Sequence, residues 1–168
     1  MSTSKERIYY TIMHRRALKA ISKVYCPKEY QDEIDKRLIY HDMDKVIMNL
    51  IDIPYEEVKK IHRLNSRHHY IPNTTYTKAD YLEMIFDWES ARYTKDDKPA
   101  NAYNTLIKYY EPLIKEIKPI LEEIHLDTED DTKNEEVTKL IDYNLTDEDI
   151  KKEITNYLNI MLLKTGIK

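Results

Sequence analysis

The sequence predicts an all-α fold, on three observations. Apolar residues recur at helical spacing almost throughout the 168 residues. Only one residue is glycine, Gly166, where average usage would place about a dozen, so tight two-residue hairpins lack their usual turn residue. Three helix starts are written as capping boxes: Thr3 with Glu6, Thr77 with Asp80, and Thr146 with Asp149.

Taken in order, the first helix opens at Thr3, buries Ile8, Ile12, Leu18 and Ile21, and runs to about Tyr25 before Pro27. A second is expected from about Lys28 to Leu50, with Ile34, Leu38, Val46, Ile47 and Met48 facing inward. Asp52 and Pro54 start a third, since proline is tolerated where the helical N–H has no partner. It should fray near Asn65 and Ser66, and Pro72 to Thr75 reads as a loop. The fourth begins at Thr77 and carries Tyr81, Leu82, Ile85, Phe86 and Trp88. Pro99 is expected to open a fifth toward Ile124, kinked or broken at Pro112 and Pro119 because each removes a backbone donor. Leu126 to Asn134, with Asp127, Glu129, Asp130 and Asp131, is the expected flexible connection. A last helix starts at Thr146, carries Ile150, Ile154, Tyr157, Leu158, Met161 and Leu162, and stops at Gly166. This divides the chain into a helical core at 1–125 and, at 126–168, an acidic linker with a C-terminal helical appendage.

Composition excludes several function classes. Without glycine in the body of the chain there is no phosphate-binding loop, dinucleotide fingerprint, nucleophile elbow or EF-hand, all of which need it where backbone turns tightly. The lone Cys26 removes an internal disulfide framework and any multi-cysteine zinc site. No apolar run reaches the roughly 18 residues of a membrane helix, and Met1 to Glu6 is too polar for a signal peptide. With charged residues at 35%, the chain is expected to be soluble and cytoplasmic, with no membrane partner. Residues 1–70 hold 14 Lys+Arg against 10 Asp+Glu, a net of +4, and residues 71–168 hold 13 against 21, a net of −8. Neither half has the dense basic stripe of a nucleic-acid binder.

Histidine is distributed more tellingly, five of the six lying between positions 14 and 69. On a continuous helix His41 shares a face with Ile34, Leu38, Lys45 and Met48, with Asp42 beside it. His14 lies on an apolar side with Tyr10, Leu18 and Ile21 at helical offsets. The third helix adds His62 and then Arg67-His68-His69; His62 and His69 share a face if the helix continues, and His68 turns inward if it ends at Asn65-Ser66. Asp87 stands amid Glu83, Met84, Ser90 and Ala91. Each alone has a plain alternative: a hydrogen-bonded core histidine, a solvated helix end, a satisfied acid at a helix contact. Together, inward-facing imidazoles and carboxylates are a ligand set that Mn, Fe, Co, Ni and Zn accept.

The order His14, His41-Asp42, His62, His68-His69, Asp87 resembles the HD superfamily of metal-dependent phosphohydrolases. The stretches His41 to Lys45, His62 to His69 and Asp87 to Arg92 are most similar to a family of small uncharacterised HD-like proteins of bacteria and phages. The resemblance spans about residues 8 to 111 and implies an HD-like helical bundle. It implies one divalent metal (Mn, Fe, Co, Ni, Zn or Mg) on His14, His41, Asp42 and Asp87. A second would be held by His62 with His68 or His69, Asp42 bridging the two. Lys45, Arg63 and Arg67 would neutralise substrate phosphate, and Asp44 would orient a water or relay a proton. The implied activity is hydrolysis of a phosphorylated small molecule, most plausibly a nucleotide, by a metal-activated water. Two alternatives are a di-iron, oxygen-activating HD-fold enzyme and a non-catalytic helical adaptor with a structural metal.

Overall fold

A computed structural model describes residues 2–95, 101–130 and 132–166 of the chain, and among these every regular element is helical. Helix α1 (Ser4–Tyr25) runs through the middle, packed against α5 (Lys78–Thr94) and α3 (Met43–Leu50). Its N-terminus is closed by the expected box, Thr3 accepting from the Glu6 amide while Glu6 accepts from the Thr3 amide. Ala17, Leu18 and Ile21 are wholly buried in one cluster with Leu82, Met84, Ile85 and Phe86 of α5, which are equally buried. Helix α5 is covered on all sides, so its Asp80, Glu83, Glu89 and Arg92 are buried and must be paired. That requirement shapes the site.

The expected second helix is in fact two. A 3₁₀ turn at Lys28–Tyr30 leads into α2 (Gln31–Tyr40), and the chain then breaks at His41-Asp42 before α3. Asp42 has φ 59° and ψ 6°, a left-handed conformation that a helix cannot contain. The helical-face argument for His41 and Lys45 is therefore corrected: His41 caps the end of α2, and Lys45 lies on α3. Helix α4 (Tyr55–Asn65) ends at Ser66 as expected, and Thr77 with Asp80 caps α5. Pro99 lies outside the described residues; the next helix, α6 (Ala102–Tyr109), is capped by Asn101. A 3₁₀ turn containing Pro112 separates it from α7 (Ile114–Glu123), which carries Pro119 in its interior.

The C-terminal segment contains α8 (Glu135–Leu140), which periodicity did not suggest, and α9 (Asp147–Thr165), capped by Thr146 and stopped by Gly166 at φ 72°. Leu126, Val137 and Ile141 belong to the same buried core as α1 and α5. Helix α9 lays Ile150, Ile154 and Tyr157 on a smaller cluster made by Ile8, Ile12, Met43 and Val46. No helix of the described residues is long and apolar enough to cross a membrane.

Candidate metal centre

Four elements converge between α1 and α5. His14 comes from the middle of α1, His41 and Asp42 from the α2–α3 corner, His62 from α4, and Asp87 from α5. His68 and His69 follow the end of α4, where the chain turns: the His69 amide bonds the Ser66 carbonyl at 3.1 Å. His14, His41, Asp42, His62 and His68 are buried.

The corner at Asp42 explains how neighbours in sequence reach one centre. Successive side chains on a helix point about 100° apart. Breaking the helix with a left-handed residue turns both His41 and Asp42 inward. Asp42 stands at the N-cap position of α3 but makes no side-chain cap bond. Its carboxylate is left for the histidines.

The hydrogen bonds then fix what each imidazole presents. His14 Nδ1 lies 2.8 Å from Ser90 Oγ, which itself donates to the Asp87 carbonyl at 2.6 Å and so must accept from the ring. His41 Nδ1 faces Glu83 Oε1 at 3.0 Å, and His68 Nδ1 faces the same oxygen at 3.3 Å. His62 Nδ1 is 2.8 Å from Asp44 Oδ2. Nδ1 of His14, His41 and His62 each meets a hydrogen-bond acceptor and carries a proton, while His68 Nδ1 stands at ion-pair distance from Glu83. Where such a ring is neutral its Nε2 is a lone pair, and where it is charged Nε2 donates, as His14 and His41 can to Asp87 Oδ1.

The Nε2 atoms lie close to one another. His14 Nε2 and His41 Nε2 are 3.4 Å apart, and His62 Nε2 and His68 Nε2 are 3.2 Å apart. Asp87 Oδ1 sits 2.8 Å from His14 Nε2 and 3.2 Å from His41 Nε2. Asp42 Oδ1 lies 3.0 and 3.1 Å from Nε2 of His62 and His68, yet these short contacts are not aligned as hydrogen bonds, and the oxygen has no hydrogen-bond partner. His69 Nε2 is likewise buried without one. Nε2 atoms this crowded beside an orphaned carboxylate oxygen call for positive charge among them, which protons or a metal cation would supply. Among the described residues the donor atoms fall into three overlapping groups, each within 4.8 Å: His14, His41, Asp42 and Asp87; His62, His68 and His69; and His41, His68 and Glu83. Such donors could hold a metal ion.

Electrostatics agree with the geometry. Burial opposes charge on His41, but Asp42, Asp87 and Glu83 outweigh it and raise its pKa to about 10. Burial also disfavours the Asp42 and Asp87 carboxylates; His41 and its neighbours at Asp42, and His14 and His41 at Asp87, hold both well below the usual range. His69 differs: burial and the charge of His68 lower it to about 3, so its ring is neutral. The charges that draw protons onto these histidines would equally favour a metal cation, whose entry would release those protons.

The centre opens on a cavity of about 700 Å³, lined in part by Arg7, Lys45, Lys59, Arg63 and Trp88. Lys45 Nζ is 3.1 Å from Asp42 Oδ2, which keeps the ammonium beside the ligands. Asp44 is engaged through its bond to His62, and Arg63 faces the cavity. Arg67 departs from its expected place. Its guanidinium bonds Asp80 Oδ2 at 2.8 Å and the Thr75 carbonyl at 2.8 Å, and it is not among the described residues lining the cavity. The turn that sends His68 inward sends its predecessor toward the N-terminus of α5.

Glu83 was not among the expected site residues, although it joins the two histidine groups. A signal existed: Asp80, Glu83, Asp87 and Ser90 recur at helical spacing among Leu82, Met84, Ile85 and Phe86 of α5. Trp88 stacks on Tyr110 at 4.7 Å between ring centroids, and Arg92 pairs with Glu89 at 2.8 Å, so both have structural partners. Comparison with known proteins finds no matching family model, no matching curated protein and no matching solved structure.

Proposed function

We propose that this protein is a metal-dependent phosphohydrolase of the HD type, acting on a nucleotide or another phosphate ester or anhydride. The observation that carries the reading is the set of four buried imidazoles whose Nδ1 atoms face Ser90, Glu83 and Asp44 and whose Nε2 atoms converge on Asp42 and Asp87. His14, His41, Asp42 and Asp87 would hold one ion, and His62, His68 and His69 a second, with Asp42 Oδ1 between them. A divalent metal bound there supplies Lewis acidity toward a phosphoryl oxygen and lowers the pKa of a water.

The chain's own residues do the rest. Lys45 exchanges part of its contact with Asp42 for a substrate phosphate, and Arg63 offers two further donors on the same cavity. Asp44 holds the His62 ring in the tautomer that leaves Nε2 free. The open, cation-lined cavity favours this reading over a structural metal, whose site would be closed and filled. It also favours an anionic phosphorylated substrate over oxygen activation by two irons. The test is metal analysis of chelator-free protein together with phosphate release from a nucleotide panel. One or two equivalents of metal and metal-dependent release are expected; protein that binds no divalent metal and releases no phosphate refutes the proposal.

A further inference from the structure

A buried polar cluster built on Arg15 adjoins the centre. Arg15 follows His14 on α1, and its side chain is only 4% exposed. Its Nη1 donates to the Leu38 carbonyl at 3.0 Å and to the His41 carbonyl, and its Nη2 to the Ile39 carbonyl at 3.3 Å. Its Nε donates to Glu153 Oε1 of α9 at 2.8 Å. The carbonyls at the end of a helix have no intrahelical partners and carry its negative end. One planar guanidinium here gathers three such carbonyls at the end of α2, the last belonging to the residue that precedes the strained Asp42.

We infer that Arg15 and Glu153 are positioning residues for the His41-Asp42 corner, and that α9 sets the metal affinity of the site through them. The inference rests on the metal-binding reading above. Arg15 fixes where α2 ends relative to α1, and hence where His41 and Asp42 lie relative to His14. A buried guanidinium facing only carbonyl dipoles keeps an uncompensated charge, and Glu153 supplies the counter-charge. Helix α9 is held in register for this by Ile150, Ile154 and Tyr157 and by the Arg16–Asp149 pair at 3.4 Å.

The test compares Glu153→Ala, which removes the acceptor, with Glu153→Gln, which keeps an acceptor without charge. Two readouts are taken on the full chain: amide hydrogen exchange of the metal-free protein and Co²⁺ titration. The His41 amide bonds the Arg37 carbonyl, and the Lys45 and Val46 amides bond the Asp42 carbonyl, so these three report the corner. Glu153→Ala should speed their exchange by about tenfold while the α5 amides keep their wild-type rates. It should weaken Co²⁺ binding by about tenfold, with Glu153→Gln intermediate on both. Wild-type exchange at the three amides, or an equal acceleration along the whole chain, overturns the positioning role. A wild-type chain that takes up no Co²⁺ overturns the metal reading and the affinity claim with it, and exchange then decides whether the clamp itself exists.

Discussion

Removing Glu83 should disable both histidine groups without removing a ligand. Its Oε1 accepts from His41 Nδ1 at 3.0 Å and lies 3.3 Å from His68 Nδ1, while Oε2 lies 3.3 Å from Arg37. With Glu83→Ala, both rings lose the acceptor that fixes their tautomer and plane. Each then populates forms whose proton sits on Nε2, where the metal would bind. Loss of such a partner costs 10- to 100-fold in metal affinity, so one residue serving two rings should cost about 10²-fold, or about 3 kcal/mol. Glu83→Gln can keep its oxygen toward the rings and should cost about tenfold. The fold should survive, because Arg37 retains Asp80 at 2.7 Å and is not stranded. Isothermal titration with Mn²⁺ or Co²⁺, alongside circular dichroism, separates these effects. If Glu83→Ala binds metal like wild type while His41→Ala does not, Glu83 does not orient the rings.

Other perturbations read other parts of the site. Alanine at His41 or Asp87 should abolish binding at the first group, and full metal content in both variants would exclude that ligand set. Lys45→Met should fold and keep its metal but lose turnover by about 10²-fold, as expected for one transition-state donor; a wild-type rate would return Lys45 to a surface role. Burial pushes the Asp80 carboxyl up, but Arg67, the Thr77 amide and Arg37 outweigh it and hold the group below the usual range. Its contribution to stability is thus complete above the unfolded value of about 3.9 and fades as pH falls below it, so urea melts at pH 6 and pH 3 should show a larger loss for wild type than for Asp80→Asn. Burial raises the Cys26 thiol to about 11, so alkylation at pH 8 should be much slower than for a free thiol, and a fast reaction would contradict that burial.

The helical class, the three capping boxes and the loop at Pro72 to Thr75 were legible because they depend on neighbours within a turn. So was the set of candidate ligands, because buried imidazoles and carboxylates stand out against an apolar face. What sequence could not supply was the break between α2 and α3. The run from Ile34 to Met48 keeps helical spacing straight through His41-Asp42 and contains no proline or glycine to interrupt it. Arg67 misled for a related reason: a charge beside a ligand in sequence goes wherever the local turn sends it. The pairing of Arg15 with Glu153, 138 positions apart, is a tertiary contact with no local signal.

That hidden break is also what makes the site possible. Had α2 and α3 been one helix, His41 and Asp42 would diverge by about 100°, and at most one could share a centre with His14 and Asp87. The left-handed turn at Asp42 brings them together at a cost of about 1–2 kcal/mol, which aspartate tolerates better than most residues. Asp42 also forgoes its ordinary N-cap bond on α3, worth about 1 kcal/mol. Two local preferences are thus set aside at one position. The offset comes from outside the turn: from the histidines that surround the carboxylate, and from the Arg15 guanidinium that gathers the α2 carbonyls behind it. Glycine at 42 would relieve the backbone and empty the centre, whereas asparagine would keep the turn and lose the charge. An acid in a left-handed corner, held from behind and uncapped in front, is a conformation the chain maintains for what the carboxylate faces.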